Sequence, residues 1–230
     1  MKRLNLFLSA VLVLLFAGFY NIAPVVAADG LPPVQNGSPI DSPPPTYSVF
    51  LPAISNSGPA TLSPQSDPLE DLIDVVVNGQ ADQLVGVYVA DLLSMPVVQQ
   101  PEGDSTFISS TDNTVTEFSA ATKFGNTGLL AHNTKAGSQF FNLEVNQQAV
   151  LIFGDGTTRS YQIESIRSYQ ALEPNNPYSD FIDLSHNSLL SANDLFLETY
   201  GAGDQLIFQT CIEAEGVNSW GRIFVTATPL

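Results

Sequence analysis

The sequence predicts a mainly β protein, a β-barrel with few short helices, and three observations predict it. Eight short runs rich in β-branched and aromatic residues follow one another: Leu84 to Ala90, Met95 to Val98, Thr114 to Phe118, Gly128 to His132, Ala149 to Phe153, Arg159 to Ile166, Leu206 to Thr210 and Arg222 to Thr228. Turn residues separate the runs, and Gly154-Asp155-Gly156 between two of them is a hairpin signal. The segment that carries them, roughly 160 residues, suits one domain with a real core. Neither internal repeats nor heptads are visible, which excludes solenoids and coiled coils.

Taken in order, the chain opens with a leader. Residues Met1 to Ala28 place Lys2 and Arg3 before an apolar stretch from Leu6 to Tyr20 and end on small residues at Val25-Val26-Ala27-Ala28, the pattern of a secretory signal. The stretch is short against the about 20 apolar residues of a spanning helix, and Asn21 and Pro24 interrupt it, so cleaved signal and retained membrane anchor are both open. Residues 29 to 68 hold Pro32, Pro33, Pro43, Pro44, Pro45 and Pro52 among Ser, Gly and Asn, a linker composition that buries too little apolar surface to fold. Residues 69 to 230 are then the folded domain. Asp71 to Val77, before Asn78-Gly79, is a short helix or a strand. One or two helical turns around Ser119 to Phe124 fit the connection before the His132 run. Ser191-Ala-Asn-Asp194 has capping-box spacing, with Asp in place of Glu, and opens a helix that ends at Gly201.

Charge excludes some functions. The chain has 23 acidic and 7 basic residues, a net charge of -16, and loss of Lys2 and Arg3 with the leader would move it to -18. Such a surface repels nucleic acid and anionic lipid and favours solubility outside the cell. There is no His/Cys cluster, no His-Glu-x-x-His and no calcium loop with Asp at alternate positions. Gly154-Asp-Gly156 and Gly201-Ala-Gly203 lack the helix setting and lysine of a phosphate loop and are turns.

The chemistry concentrates in three residues. Cys211, the one cysteine, ends the run Leu206 to Cys211. Taken alone it is a small buried hydrophobe, but in an exported chain an unpaired thiol is uncommon. Of two histidines, His132 ends an apolar run, whereas His186 lies in the loop-like Asp183 to Ser188. No aspartate is identifiable as an orienting partner of either. Arg222 is one of five basic residues beyond the leader, with Lys123, Lys135, Arg159 and Arg167. A cysteine at a strand end beside an imidazole and a guanidinium has the partners that favour its nucleophilic thiolate.

The order His132, Cys211, Arg222 resembles the sortase family. Of that family's Thr-Leu-x-Thr-Cys signature, Ile207-Phe208-Gln209-Thr210-Cys211 keeps the final Thr-Cys pair. Gly128-Leu-Leu-Ala-His-Asn133 is similar to the family's strand ending in Gly-His, with Ala131 replacing the glycine, and Phe140 to Leu143, Val150 to Phe153 and Tyr161 to Ile163 also fit. The resemblance spans Leu84 to Thr228 and implies a closed eight-stranded barrel decorated by short helices and loops. It implies a cysteine transpeptidase in which Cys211 cleaves a sorting-signal peptide through a thioester acyl-enzyme and passes the acyl group to a cell-surface amine. His132 would serve as general acid and then base, and Arg222 would donate to the oxyanion or the substrate backbone. Thr210, through its hydroxyl or backbone NH, and Trp220, as a wall of the groove, would contact substrate. Glu213 and Glu215, in an expected loop from Ile212 to Gly221, would raise the cysteine pKa if close. No cofactor is implied, although some sortases bind calcium through scattered acids. The expected location is extracellular or at the cell envelope, with a membrane tether through the N-terminus open. Three alternatives stand beside this reading: a sortase-fold module that binds peptides without turnover, a hydrolytic cysteine peptidase, and a secreted protein whose cysteine pairs between chains.

Overall fold

Asp67 starts the first helix, α1 (Pro68–Val76), by accepting the Leu69 amide on its carboxylate at 3.0 Å, with Pro68 in the first turn and Glu70 and Asp71 at the positive end of the helix dipole. These signals decide for helix over strand in the segment that the sequence left open. The helix buries Leu72 against Val85 and Ile152. The computed structural model describes residues 67 to 176 and 178 to 230. The leader and all of the linker up to residue 66 lie outside the described residues.

Ten strands follow: β1 (Leu84–Val89), β2 (Leu93–Gln99), β3 (Val115–Glu117), β4 (Thr127–Leu130), β5 (Gln148–Phe153), β6 (Thr158–Ala171), β7 (Phe181–Asp183), β8 (Ser188–Leu190), β9 (Leu206–Ala214) and β10 (Val217–Pro229). They pair in the order β10-β9-β4-β3-β2-β1-β5-β6-β7-β8, and β10 also pairs with β6, so eight strands close into a ring from which β7 and β8 project. The eight ring strands correspond to the eight predicted runs. The β2–β3 and β4–β9 pairs are parallel and the other pairs antiparallel.

Alternation along the strands sorts side chains into two cores. Val87, Val97, Val115, Leu129, Leu151, Ile163, Phe208 and Val225, one from each ring strand, fill the barrel. The opposite face of β4, β6, β9 and β10 presents Leu130, Tyr169, Ile207 and Phe224 to a second core, completed by Phe118, by Ala120 and Ala121 of helix α2 (Ser119–Thr122), and by Leu195, Phe196 and Tyr200 of helix α3 (Ala192–Tyr200). Each large side chain buried in these layers contributes roughly 1.5–3 kcal/mol. The outer layer matters for the site, because Cys211 and Arg222 share the parity of Ile207 and Phe224.

Local chemistry explains the connections. The β5–β6 hairpin turns at Gly156, φ +86°, and Asp155 accepts from the Thr157 amide at 3.0 Å and its hydroxyl at 2.7 Å. Between β9 and β10 only Glu215 and Gly216 turn, with φ 55° and 75°, the doubly left-handed geometry of a tight hairpin. The expected loop from Ile212 to Gly221 is thus strand, irregular between Val217 and Gly221, where the register shifts. Helix α3 begins as predicted: the Ser191 hydroxyl accepts the Asp194 amide at 3.1 Å and donates to the Asp194 carboxylate at 2.7 Å. Ser191→Ala is expected to cost about 1 kcal/mol, seen as a lower Tm in thermal unfolding; an unchanged Tm would show that the cap contributes nothing. Among the described residues no helix is long and apolar enough to cross a membrane.

Candidate active site

One rung of the sheet carries the site. Register places Cys211 opposite Arg222, Arg222 opposite Tyr169, and Tyr169 opposite Asp183, across β9, β10, β6 and β7. Directly opposed residues share a face, so this row lies on the outer side of the barrel at the edge of the second core. On the other side of β9, the parallel partner β4 keeps Leu130 level with Gln209, and the Ala131 amide still donates to the Gln209 carbonyl at 3.3 Å. His132 follows, leaving the strand beside the end of the cysteine run.

Cys211 and Arg222 are 2% and 1% exposed. Burial pushes the Cys211 thiol up, and the Arg222 guanidinium opposes that shift. Burial pushes Arg222 down, and Cys211 opposes in turn. Glu213 and Glu215 have no part in the shift, contrary to expectation: burial is what raises the thiol. The guanidinium is oriented by its own strand, NH1 donating to the Gly221 carbonyl at 2.7 Å and the Ser219 carbonyl at 3.0 Å. Gly221 lets β10 approach β6 closely, since a Cβ there would lie 2.4 Å from the Tyr169 carbonyl oxygen.

His132 is half-buried. Burial lowers its pKa, a hydrogen bond from its ring to the Ile108 carbonyl opposes this, and nearby Lys135 lowers it further. The neutral imidazole is therefore favoured. Ile108 belongs to the long connection between β2 and β3, which an ion pair of Asp112 with Lys135 at 2.6 Å joins to the turn after His132. Ile108 also lines, with Leu130, Ala131, Gln209, Thr210, Cys211 and Arg222, a cavity of about 10 Å³. That is space for about one water.

Cys211, Arg222 and Thr210 thus line one cavity, and His132, outside its lining, follows Ala131 and bonds to Ile108, both of which line it. The Thr210 hydroxyl donates to the Ala131 carbonyl at 2.8 Å, which leaves the backbone NH as the group it could offer a substrate. Trp220 lies half-buried in the irregular stretch of β10, outside the cavity lining.

Sequence reasoning missed a second polar cluster. His186 is exposed in the β7–β8 turn, and its Nδ1 lies 3.0 Å from Asp183 Oδ2, which also accepts from Arg167 at 2.8 Å; Asp183 Oδ1 accepts from the Ser185 and His186 amides at 2.7 and 3.3 Å. Arg167 also pairs with Glu198 of α3, which accepts from the Tyr169 hydroxyl at 3.5 Å. Burial would raise Asp183, but hydrogen bonds from His186, Ser185 and Arg167 outweigh it and hold the carboxyl down at about 2. So one histidine does have an aspartate partner, and the Asp-x-x-His spacing of a side-chain-capped turn was the available signal. Asp183 stands three strand spacings, roughly 14 Å, from Cys211, which separates His186 from the thiol. Among the described residues no three His, Cys, Asp or Glu side chains are grouped to hold a metal ion.

Fold and site together define a class: an eight-stranded barrel with a buried cysteine–arginine pair across neighbouring strands and a histidine at the end of a third. No family model matches the chain, and no curated protein matches it. Among solved structures it is similar to sortase C1 of GBS pilus island 1, at 14% identity and TM-score 0.40 over 65% of this chain and 66% of that one. It is also similar to sortase C-1 from Actinomyces oris, at 14% identity and TM-score 0.43 over 74% of this chain and 84% of that one. A third, sortase A from Corynebacterium diphtheriae, is 11% identical with TM-score 0.39 over 64% of this chain and 61% of that one. The chain spans about two thirds of the length of the first of these, and the likeness is one of fold.

Proposed function

We propose that the protein is a sortase-like cysteine transpeptidase acting at the cell envelope on a sorting-signal peptide. The observation that carries this reading is the rung itself, a buried thiol facing a buried guanidinium, with His132 at the end of the adjoining strand. In the first half-reaction the Cys211 thiol gives its proton to the neutral His132 imidazole, and the resulting thiolate attacks a peptide carbonyl, so that a carbon–sulfur bond forms. The oxyanion that develops is stabilised by the Arg222 guanidinium. As the carbon–nitrogen bond breaks, His132 gives its proton to the leaving amine, and an S-acyl thioester remains. In the second half an amine of the cell surface attacks the thioester, His132 accepts its proton, and the thiolate departs. Water in place of the amine gives hydrolysis.

The burial of Cys211, its raised pKa and the smallness of its cavity favour a second reading, a peptide-binding module without turnover. Both readings are tested on the full chain with a peptide library and hydroxylamine as a small acceptor amine, read by mass spectrometry. A transpeptidase releases peptide hydroxamates, and Cys211→Ala and His132→Ala abolish them. Cleavage without hydroxamate means a hydrolase. Peptide retention without cleavage, with Cys211 no more reactive towards a methanethiosulfonate reagent than in His132→Ala, overturns the enzymatic reading.

A further inference from the structure

His132 has no ladder to hold it. β4 ends at Leu130, the last main-chain bond to β9 is the 3.3 Å contact from Ala131 to Gln209, and the chain then turns into a 3₁₀ helix (Ala136–Asn142). Past that point the two segments are joined by a side chain, as Thr210, next to Cys211, donates its hydroxyl to the Ala131 carbonyl at 2.8 Å. The following carbonyl, that of His132, accepts the amides of Lys135 at 2.9 Å and Gly137 at 3.0 Å. Gly137 seats so closely that a Cβ would lie 2.4 Å from Thr210 Oγ1, 2.7 Å from the His132 carbonyl oxygen and 2.8 Å from that of Ala131. Ala131 and Thr210 are 2% and 3% exposed, and Gly137 is buried.

We infer that Thr210 and Gly137 are positioning residues that act through His132. Thr210 ties the backbone immediately before the histidine to the residue immediately before the nucleophile, so the two reacting groups share one mechanical reference. Gly137 makes that bond possible, because any side chain there would displace the hydroxyl and both carbonyls. The hydroxyl bond is shielded from water, and its loss orphans a buried carbonyl. An error of about 1 Å in placing a reacting group is enough to cost about a hundredfold in rate. The inference rests on the proposed pairing of His132 with Cys211.

Thr210→Val keeps the branched shape and deletes only the hydroxyl; Thr210→Ser keeps the hydroxyl. On the full chain, the rate of Cys211 modification by a methanethiosulfonate reagent is measured against pH, and the titration of the His132 imidazole is followed by NMR. Thr210→Val is expected to slow modification about tenfold and to weaken the His132-dependent limb of the profile, whereas Thr210→Ser returns to within about threefold of the wild type. Adding Thr210→Val to His132→Ala should slow the reaction no further, the non-additivity of residues that act as one unit. Gly137→Ala is expected to reproduce Thr210→Val. A Thr210→Val protein with a lower Tm but an unchanged pH profile and His132 titration overturns the inference, as do independent effects of the two substitutions. If His132→Ala alone changes nothing, the transpeptidase reading fails, and the NMR titration still decides the clamp: a moved His132 midpoint in Thr210→Val supports it, and an unmoved one overturns it.

Discussion

Arg222→Lys slows modification of Cys211 by at least about tenfold near neutral pH, and Arg222→Ala slows it further. The guanidinium is the charge that opposes the effect of burial on the thiol. Its removal leaves burial unopposed, the thiol pKa rises, the thiolate fraction falls, and the pH profile moves to higher pH. Lysine does not substitute, since Arg222 is held by two carbonyls through one nitrogen of a planar fork that an ammonium does not reproduce. A compact ammonium is also more strongly hydrated and costs more to bury. The check is the modification rate of wild type and both variants across the neutral and alkaline range. Superimposable profiles would show that facing the thiol across the rung has no electrostatic consequence.

Asp183→Ala has the largest expected effect on stability, a loss of roughly 2–3 kcal/mol. The carboxylate is buried and accepts from Arg167, the His186 ring and two backbone amides, so one substitution orphans the β7–β8 turn and removes one of the two carboxylates that hold Arg167. The sign of the pH dependence follows from its lowered pKa. A carboxyl held at about 2 when folded, against an ordinary value of 3.8, stabilises the fold fully above the ordinary value and loses that contribution as pH falls towards about 2. Denaturant unfolding of wild type and Asp183→Asn should therefore show a stability gap that is constant at neutral pH and narrows through that acid window. A gap that stays constant on acidification would sink the assignment.

The barrel was legible because each ring strand is a local signal, a run of β-branched and aromatic residues whose period needs no knowledge of its neighbours. Helix α3 was legible for the same reason, Ser191 and Gly201 being local punctuation. What sequence could not supply was pairing between distant segments. The resemblance implies a closed ring, but its closing pair β6–β10, the extension of β9 and β10 beyond the cysteine and before the arginine, and the row Cys211-Arg222-Tyr169-Asp183 are facts of register. Strands β7 and β8, three residues each, are too short to show a period. For Thr210 the sequence offers a hydroxyl or a backbone NH, and only the fold shows that the hydroxyl is engaged by Ala131. Gly137 carried no signal at all, because its requirement comes from three oxygens supplied by other parts of the chain.

The seam between β6 and β10 gives the site a history as well as a geometry. Cys211 and Arg222 face each other within a single tight hairpin, a local pairing, whereas Tyr169 and its neighbours flank that pair across the seam, a non-local pairing of the kind that is slower to form. Before the seam zips, the thiol is an accessible one beside a cation, open to oxidants and to other thiols. After it zips, only about one water's space remains beside the sulfur. In an oxidising compartment the yield of reduced protein is therefore the outcome of a race between barrel closure and oxidation of its single cysteine.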